Sequence, residues 1–540
     1  MPRAFRKLPD NIRQQPPGIL DSLNLLLPAP PPMTDSSPSP IGTDQPSDAS
    51  VVLRAIHGWL DQPAPTSLSE EVTTLISHLS SLRSCIADRQ DRSKALADIG
   101  PRAPDNAERL LASLTNLSPP PTGRLRQLVR NSQALLRALA EDIAPITEHT
   151  PDNPSRDTQE VEQALVVLRM RVLAQHLLIS GLTAAPAENG IWLLMNHFHQ
   201  DIRRQATHAK YSDAAQATCR NIYFTAILLA CAQPAAFTSR ESRFLGQYLA
   251  QHVDLLRVCD NPDDVSKASF WICPARDTHA TPYARMEAPG GDDVINFNCD
   301  GLASLIRKQL AALRSGVAPE RIGLPDFAGT PSGRGALHRL AESLENPGKR
   351  RFPRRRQHYR AVLCAGLKNL WNLFSLGDAA NVETSNWMIT NESPDGYSIM
   401  HVLGSTLGTS VGDIVALRPE NGSKWQVCII RWAQSENQEH LEFGLQILAT
   451  DATPAMLFTP PQNRTDQAHP RQQPALILPQ IPPLRLDEML ITRSGLLEEQ
   501  PAQLVLVVEK GNIEVREVRS TRLNEQNGQI EVFSIEPDGE

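Results

Sequence analysis

KRRFPRRRQHYR (residues 349–360) and NESPDG (residues 391–396) frame the stretch whose reading decides the fold. Lys349, Arg350, Arg351, Arg354, Arg355, Arg356 and Arg360 place seven cations in twelve residues. Upstream of this stretch, apolar residues recur at helical spacing. Downstream they alternate, or run in short blocks bounded by Pro, Gly, Asn and Ser, as strands do. The chain changes from helix to strand at this seam, and its most specific chemistry lies on it.

Working outward, the 540 residues allow two to four domains, and the 41% hydrophobic content is enough for sizeable cores. Net charge is −7, so the arginine run is a local basic exception on an acidic protein. That balance argues against a general nucleic-acid binder. The eight cysteines (85, 219, 231, 259, 273, 299, 364 and 428) show no C-x-x-C spacing and suggest no disulfide framework. A reducing cytoplasm is the expected setting. The N-terminal sequence lacks the apolar core of a signal peptide, and no run reads as a membrane span.

The expected organisation is multidomain α + β. Residues 1–48 read as a disordered Pro/Ser-rich tail carrying one leucine-rich exception, GILDSLNLLL (18–27). Residues 49–345 read as an all-α bundle or stack, a candidate protein-binding region, with Asp105 as one helix cap and Pro145 as a helix stop. Within it, KASFWICPA and DVINFNC are rich in β-branched and aromatic residues and read as strands or extended connectors. Residues 346–452 read as an antiparallel barrel behind an arginine-rich linker. Residues 453–474 read as a linker, and 475–540 as further strands, either completing the first barrel or forming a second. AGLKNLWNLF, between Arg360 and Asn391, reads as helical.

Two patterns stand out at the seam: R-x-x-x-R at Arg356 and Arg360, preceded by Arg355, and N-x-S-x-x-G at Asn391, Ser393 and Gly396. Alone, the first is a solvated anion patch and the second a hairpin turn. Together, in this order and followed by strands, they resemble the PilZ domain, a small β-barrel receptor for cyclic di-GMP. FGLQI (443–447) resembles its closing strand. The resemblance implies cyclic di-GMP as ligand, with no other cofactor. Arg356 and Arg360 would hold guanine and phosphate, Arg355 would assist, and Asn391, Ser393 and Gly396 would form the opposing wall. The ligand's chemistry agrees: guanine presents paired O6 and N7 acceptors, and guanidinium forks bind both these and phosphate.

The implied protein is a bacterial effector rather than an enzyme. Its helical region would reach a protein partner and govern pili, flagella, adhesion or exopolysaccharide. The rival readings are a nucleic-acid binder using the basic run and a scaffold with a degenerate barrel. No catalytic motif appears. His197 and His199 stand two apart, a spacing that does not share a helix face, and no H-E-x-x-H occurs.

Overall fold

The computed structural model describes residues 48–63, 65–117, 121–148, 155–206, 211–259, 265–291, 293–347, 352–377, 381–403, 405–406, 408–437, 440–459, 471–481, 487–495, 503–510 and 512–538. Residues 1–47 of the expected tail, with the GILDSLNLLL segment, and Lys349 to Arg351 lie outside these residues, whereas Asp48, the last residue of that tail, opens the first helix.

The helical region opens with α1 (Asp48–Leu60), α2 (Leu68–Cys85), α3 (Arg89–Ile99), α4 (Arg102–Leu114), α5 (Gly123–Glu148), α6 (Arg156–Leu182), α7 (Ile191–Ala206), α8 (Asp213–Cys231) and α9 (Ser239–His252). It ends with α10 (Asp300–Arg314) and α11 (Pro331–Glu345). Helix starts follow local side chains. The hydroxyls of Ser67, Ser155 and Ser212 each accept an N–H of the first turn, and Thr238 and Glu241 form a reciprocal capping box at α9. Two expected boundaries move. Helix α4 begins at Arg102, so Asp105 lies in its first turn and is not its cap. Helix α5 runs three residues past Pro145, which near a helix end forfeits little beyond one hydrogen bond.

Helix α6 is the centre of this region, with Leu165, Val166, Met170, Val172 and Ile179 wholly enclosed. It contains a window apolar enough to cross a membrane, contrary to the sequence reading, but 67% of that window is buried against its neighbours. A small antiparallel sheet, order β1-β4-β2-β3, lies within the helical region. It is formed by β1 (Arg257–Val258), β2 (Phe270–Ile272), β3 (Thr281–Pro282) and β4 (Ile295–Asn298). KASFWICPA and DVINFNC supply β2 and β4.

Two closed six-stranded barrels follow. The first comprises β5 (Arg355–Ala365), β6 (Thr384–Ser393), β7 (Gly396–Leu403), β8 (Ile414–Pro419), β9 (Gln426–Asn437) and β10 (His440–Ala449), in the order β10-β7-β6-β5-β8-β9. Period-2 alternation turns Ala361, Leu363, Trp387, Ile389, Ile399, Leu417, Ile430 and Phe443 inward. The Trp387 and Phe443 rings stack at 5.0 Å. The second barrel comprises β11 (Thr453–Thr459), β12 (Arg471–Leu478), β13 (Glu488–Arg493), β14 (Gln503–Lys510), β15 (Asn512–Gln526) and β16 (Ile530–Pro537). The segment expected as linker 453–474 thus begins as a strand: Thr453–Thr459 pairs residue for residue with Arg471–Ile477. Proline at 454 and the Pro/Gln/Asn-rich stretch behind it hid that strand from the sequence.

AGLKNLWNLF forms helix α12 (Leu367–Leu376) between β5 and β6. It wedges between the barrels: Leu370 and Leu373 join Ile414, Val427, Leu476 and Ile491 in one buried cluster, and Trp371 Nε1 donates to Ala455 O at 2.9 Å. The helical region meets the first barrel at Ala184. Ala184 packs against the barrel's interior cluster, its carbonyl accepts from Ser435 N–H at 2.8 Å, and its φ is +53°.

Candidate functional site

The arginine pattern lies on a strand, where a linker was expected from residue 346 onward. Arg355, Arg356 and Arg360 belong to β5, which pairs antiparallel with β6 in the register Arg355 to Glu392, Arg356 to Asn391 and Arg360 to Met388. The inserted helix α12 does not separate the two motifs, because β5 and β6 are direct neighbours in the barrel.

Alternation decides which face these residues share. Tyr359 packs on the barrel interior with Ala361 and Leu363, so Arg356 and Arg360 face outward. On β7, Tyr397 and Ile399 point inward, which turns Ser398 outward and with it Asn391, its register partner. Register irregularities between Arg356 and Tyr359, and between Ile389 and Asn391, keep these parities consistent across three strands. Arg356 and Asn391 therefore stand side by side on the outer wall. Arg360 stands on the same face, about 13 Å along β5 from Arg356 at 3.3 Å per residue. The guanidinium groups of Arg355, Arg356 and Arg360 are exposed and make no ion pair with another described residue. Arg355, at the strand's start, has the inward parity of its partner Glu392. Tyr359 donates its phenol to Glu392 Oε2 at 3.0 Å, and burial followed by that bond pushes the phenol's pKa up.

Ser393 and Gly396 close a two-residue hairpin. The Ser393 hydroxyl lies 2.6 Å from Asp395 Oδ1 and 3.1 Å from Gly396 O, so its first use is to fix that turn. Gly396 has a structural reason of its own. A Cβ there would lie 2.0 Å from Leu445 O and 3.3 Å from Gln446 Cα, so β10 can pass this close only to a glycine.

The outer face carries two groups that the motif reading missed. Trp432 and Arg431 lie together on β9 where its register with β10 slips between Gly444 and Leu445. Ile430 and Ala433 both point inward, so the extra residue leaves Arg431 and Trp432 both outside. The Trp432 indole lies over Gly444, where a Cβ would come impossibly close to Nε1. Gly444 is in turn the register partner of Ser398, itself paired with Asn391. The outer row thus reads Arg356, Asn391, Ser398, Gly444 and Trp432: an exposed guanidinium at one end, a half-buried amide within, a buried middle at Ser398 and Gly444, and a half-buried indole at the other. The available sequence signal was the glycine in FGLQI, read only as part of a closing strand.

Residues 375–454 match the family described as "Cyclic-di-GMP receptor FimW, middle PilZ domain". The first barrel is a PilZ domain. Residues 54–263 match the N-terminal domain of the same receptor description, so the helical region, for which the sequence reading had no family, has one. The chain thus carries, in order, the N-terminal and PilZ domains of a cyclic di-GMP receptor. The arginine pattern lies just before the matched part of the PilZ barrel. No curated protein and no solved structure matches the chain.

Proposed function

We propose that this protein is a bacterial cyclic di-GMP effector, without enzymatic activity of its own, that takes its ligand on the outer wall of the PilZ barrel. Arg356 and Arg360 bind phosphate and guanine edges, and Asn391 and Ser393 bond the base from the neighbouring strand; Arg355, of opposite parity but exposed at the start of β5, assists from the strand's end. Gly396 serves by holding β7 against β10, which sets where Ser393 stands. The single observation carrying this reading is the register pairing of Arg356 with Asn391 on the outer face of a PilZ barrel. From there the state of the barrel passes to the helical region, which joins β5 through residues 346–354 and meets the barrel again at Ala184. The helical region acts on a cytoplasmic protein partner governing pili, flagellar motility, adhesion or exopolysaccharide.

Isothermal titration of the full chain with cyclic di-GMP tests the reading. Wild type binds. Arg356→Ala and Arg360→Ala each lose about 1.5–3 kcal/mol, the scale for hydrogen bonds to charged groups. Binding by either variant at wild-type strength removes that arginine from the site, and no binding by wild type removes the function.

A further inference from the structure

Arg431 was absorbed by neither motif, yet the bulge in β9 turns it onto the ligand face. Its Nε donates to Gln446 Oε1 at 2.6 Å. Gln446 is the register partner of Gly396, which pairs with Ser393 across the hairpin. Because Gly396 has no side chain, Gln446 is the next side chain beyond Ser393 in that outer row. The two stand two strand spacings apart, roughly 10 Å, a gap within the span of a molecule with two phosphates and two guanines. Arg431 stands one strand further on.

The other edge of the same guanidinium is held elsewhere. Arg431 Nη1 bonds Glu525 Oε2 at 2.5 Å, on β15 of the second barrel. Glu525 Oε1 lies 3.6 Å from Arg339 Nη1 on α11, and Arg339 Nη2 lies 2.9 Å from Glu241 Oε1 on α9. Glu241 is fully buried, and Ser332 donates to it at 2.9 Å. One line of alternating charges therefore runs from the PilZ wall through the second barrel to the core of the helical region. It passes through Arg339 of α11, the helix whose C-terminus leads into β5, and ends at Glu241 on α9. A guanidinium has two edges suited to oxyanions, and here one holds Gln446 and the other a carboxylate.

We propose that Arg431 is a further ligand contact of the PilZ barrel, and that a ligand phosphate competes with Glu525 for its guanidinium. Occupancy removes Arg431 from the three-way junction and leaves Glu525 to Arg339 alone. Binding is thereby read out as a change in how α11 and the second barrel grip the PilZ wall. Both Arg431 and Glu525 keep some solvent access, with side chains 34% and 15% exposed, so the exchange requires no unfolding. A ligand shifts such an equilibrium by its difference in affinity for the two arrangements, so affinity and grip are linked in both directions.

This inference rests on the cyclic di-GMP reading, and titration of the full chain separates the two. Arg431→Ala weakens cyclic di-GMP binding at least tenfold. Glu525→Gln, which frees the guanidinium from its counter-charge, strengthens it several-fold. Hydrogen exchange of residues 523–526 and 334–339 rises on adding ligand to wild type and stays unchanged in Arg431→Ala. If wild type binds while both variants bind within twofold of it, the competition is refuted and the receptor reading survives. If wild type binds nothing, the receptor reading itself has failed. Circular dichroism melts confirm that each variant folds, and Arg431→Lys, which keeps the charge but loses the fork, falls between wild type and Arg431→Ala.

Discussion

Gly396→Ala separates a glycine kept for its neighbour strand from a glycine kept for a ligand. The added methyl would start 2.0 Å from Leu445 O, 3.1 Å from Leu445 C and 3.3 Å from Gln446 Cα. All three are backbone atoms of β10 and cannot rotate away. Restoring an ordinary contact of 3.4 Å means moving that carbonyl by about 1.4 Å, against a strand spacing of about 4.8 Å. A shift of that size takes the Ile447 N–H to Asp395 O bond beyond its 2.9 Å, together with the adjacent ladder bond between β7 and β10. Two net hydrogen bonds at about 1 kcal/mol each, plus about 1–3 kcal/mol for overpacking, give about 4 kcal/mol. Domains are stable by only about 5–15 kcal/mol, so urea unfolding followed by the fluorescence of the seven tryptophans, three of them (Trp387, Trp425 and Trp432) in or beside this barrel, would show a large drop in the midpoint of the barrel's transition. The reasoning fails if Gly396→Ala keeps the wild-type midpoint and loses only cyclic di-GMP binding. The glycine would then serve the ligand's approach and not the strand's.

Burial holds Asp413 up at about 6, although Ser410 N–H donates to its Oδ2 at 2.8 Å. Its proton is bound more tightly folded than unfolded, so its contribution to stability is full below about pH 4 and is lost as pH rises to 6. The loss is about 3 kcal/mol at 1.36 kcal/mol per pKa unit. Asp413→Asn keeps an acceptor for Ser410 and should flatten that dependence in denaturant titrations at pH 5 and 8; equal pH slopes in the two proteins would refute it. Arg339→Ala leaves the fully buried Glu241 facing only its hydroxyl and backbone donors. Breaking a buried pair in this way costs about 3 kcal/mol, read as a lower melting temperature, and an unchanged melt would show that Ser332 and the capping box suffice.

The change from helix, ending at Glu345, to strand, beginning at Arg355, was legible because hydrophobic period is a local property. So were most long helices, whereas FWI and INFN read only as strands or extended connectors until their pairing settled it. The partnership of Arg356 with Asn391 was readable only as a resemblance, since register is set by barrel closure and not by either motif alone. Three further features lay beyond a one-dimensional reading for the same reason. β11 was hidden by prolines and by the polar stretch after it, and its strand character comes from pairing with β12 and β14. Arg431 and Trp432 look like an ordinary alternating pair until the slip against β10 puts both outside. Gly396 looked like a turn former or a ligand notch, and only the passing backbone of β10 shows why a methyl is excluded there.

Ala184 has one more consequence. A loop of the helical region, bent into a conformation most residues avoid, lays a methyl group, along with Val411 and Ile447, against the apolar cluster of the PilZ barrel. Excising the barrel would expose the apolar surface under that methyl and leave the Ser435 N–H without its carbonyl. A fragment beginning at residue 346 would therefore lack a neighbour that the intact chain supplies, and the full chain is the form in which to weigh a ligand.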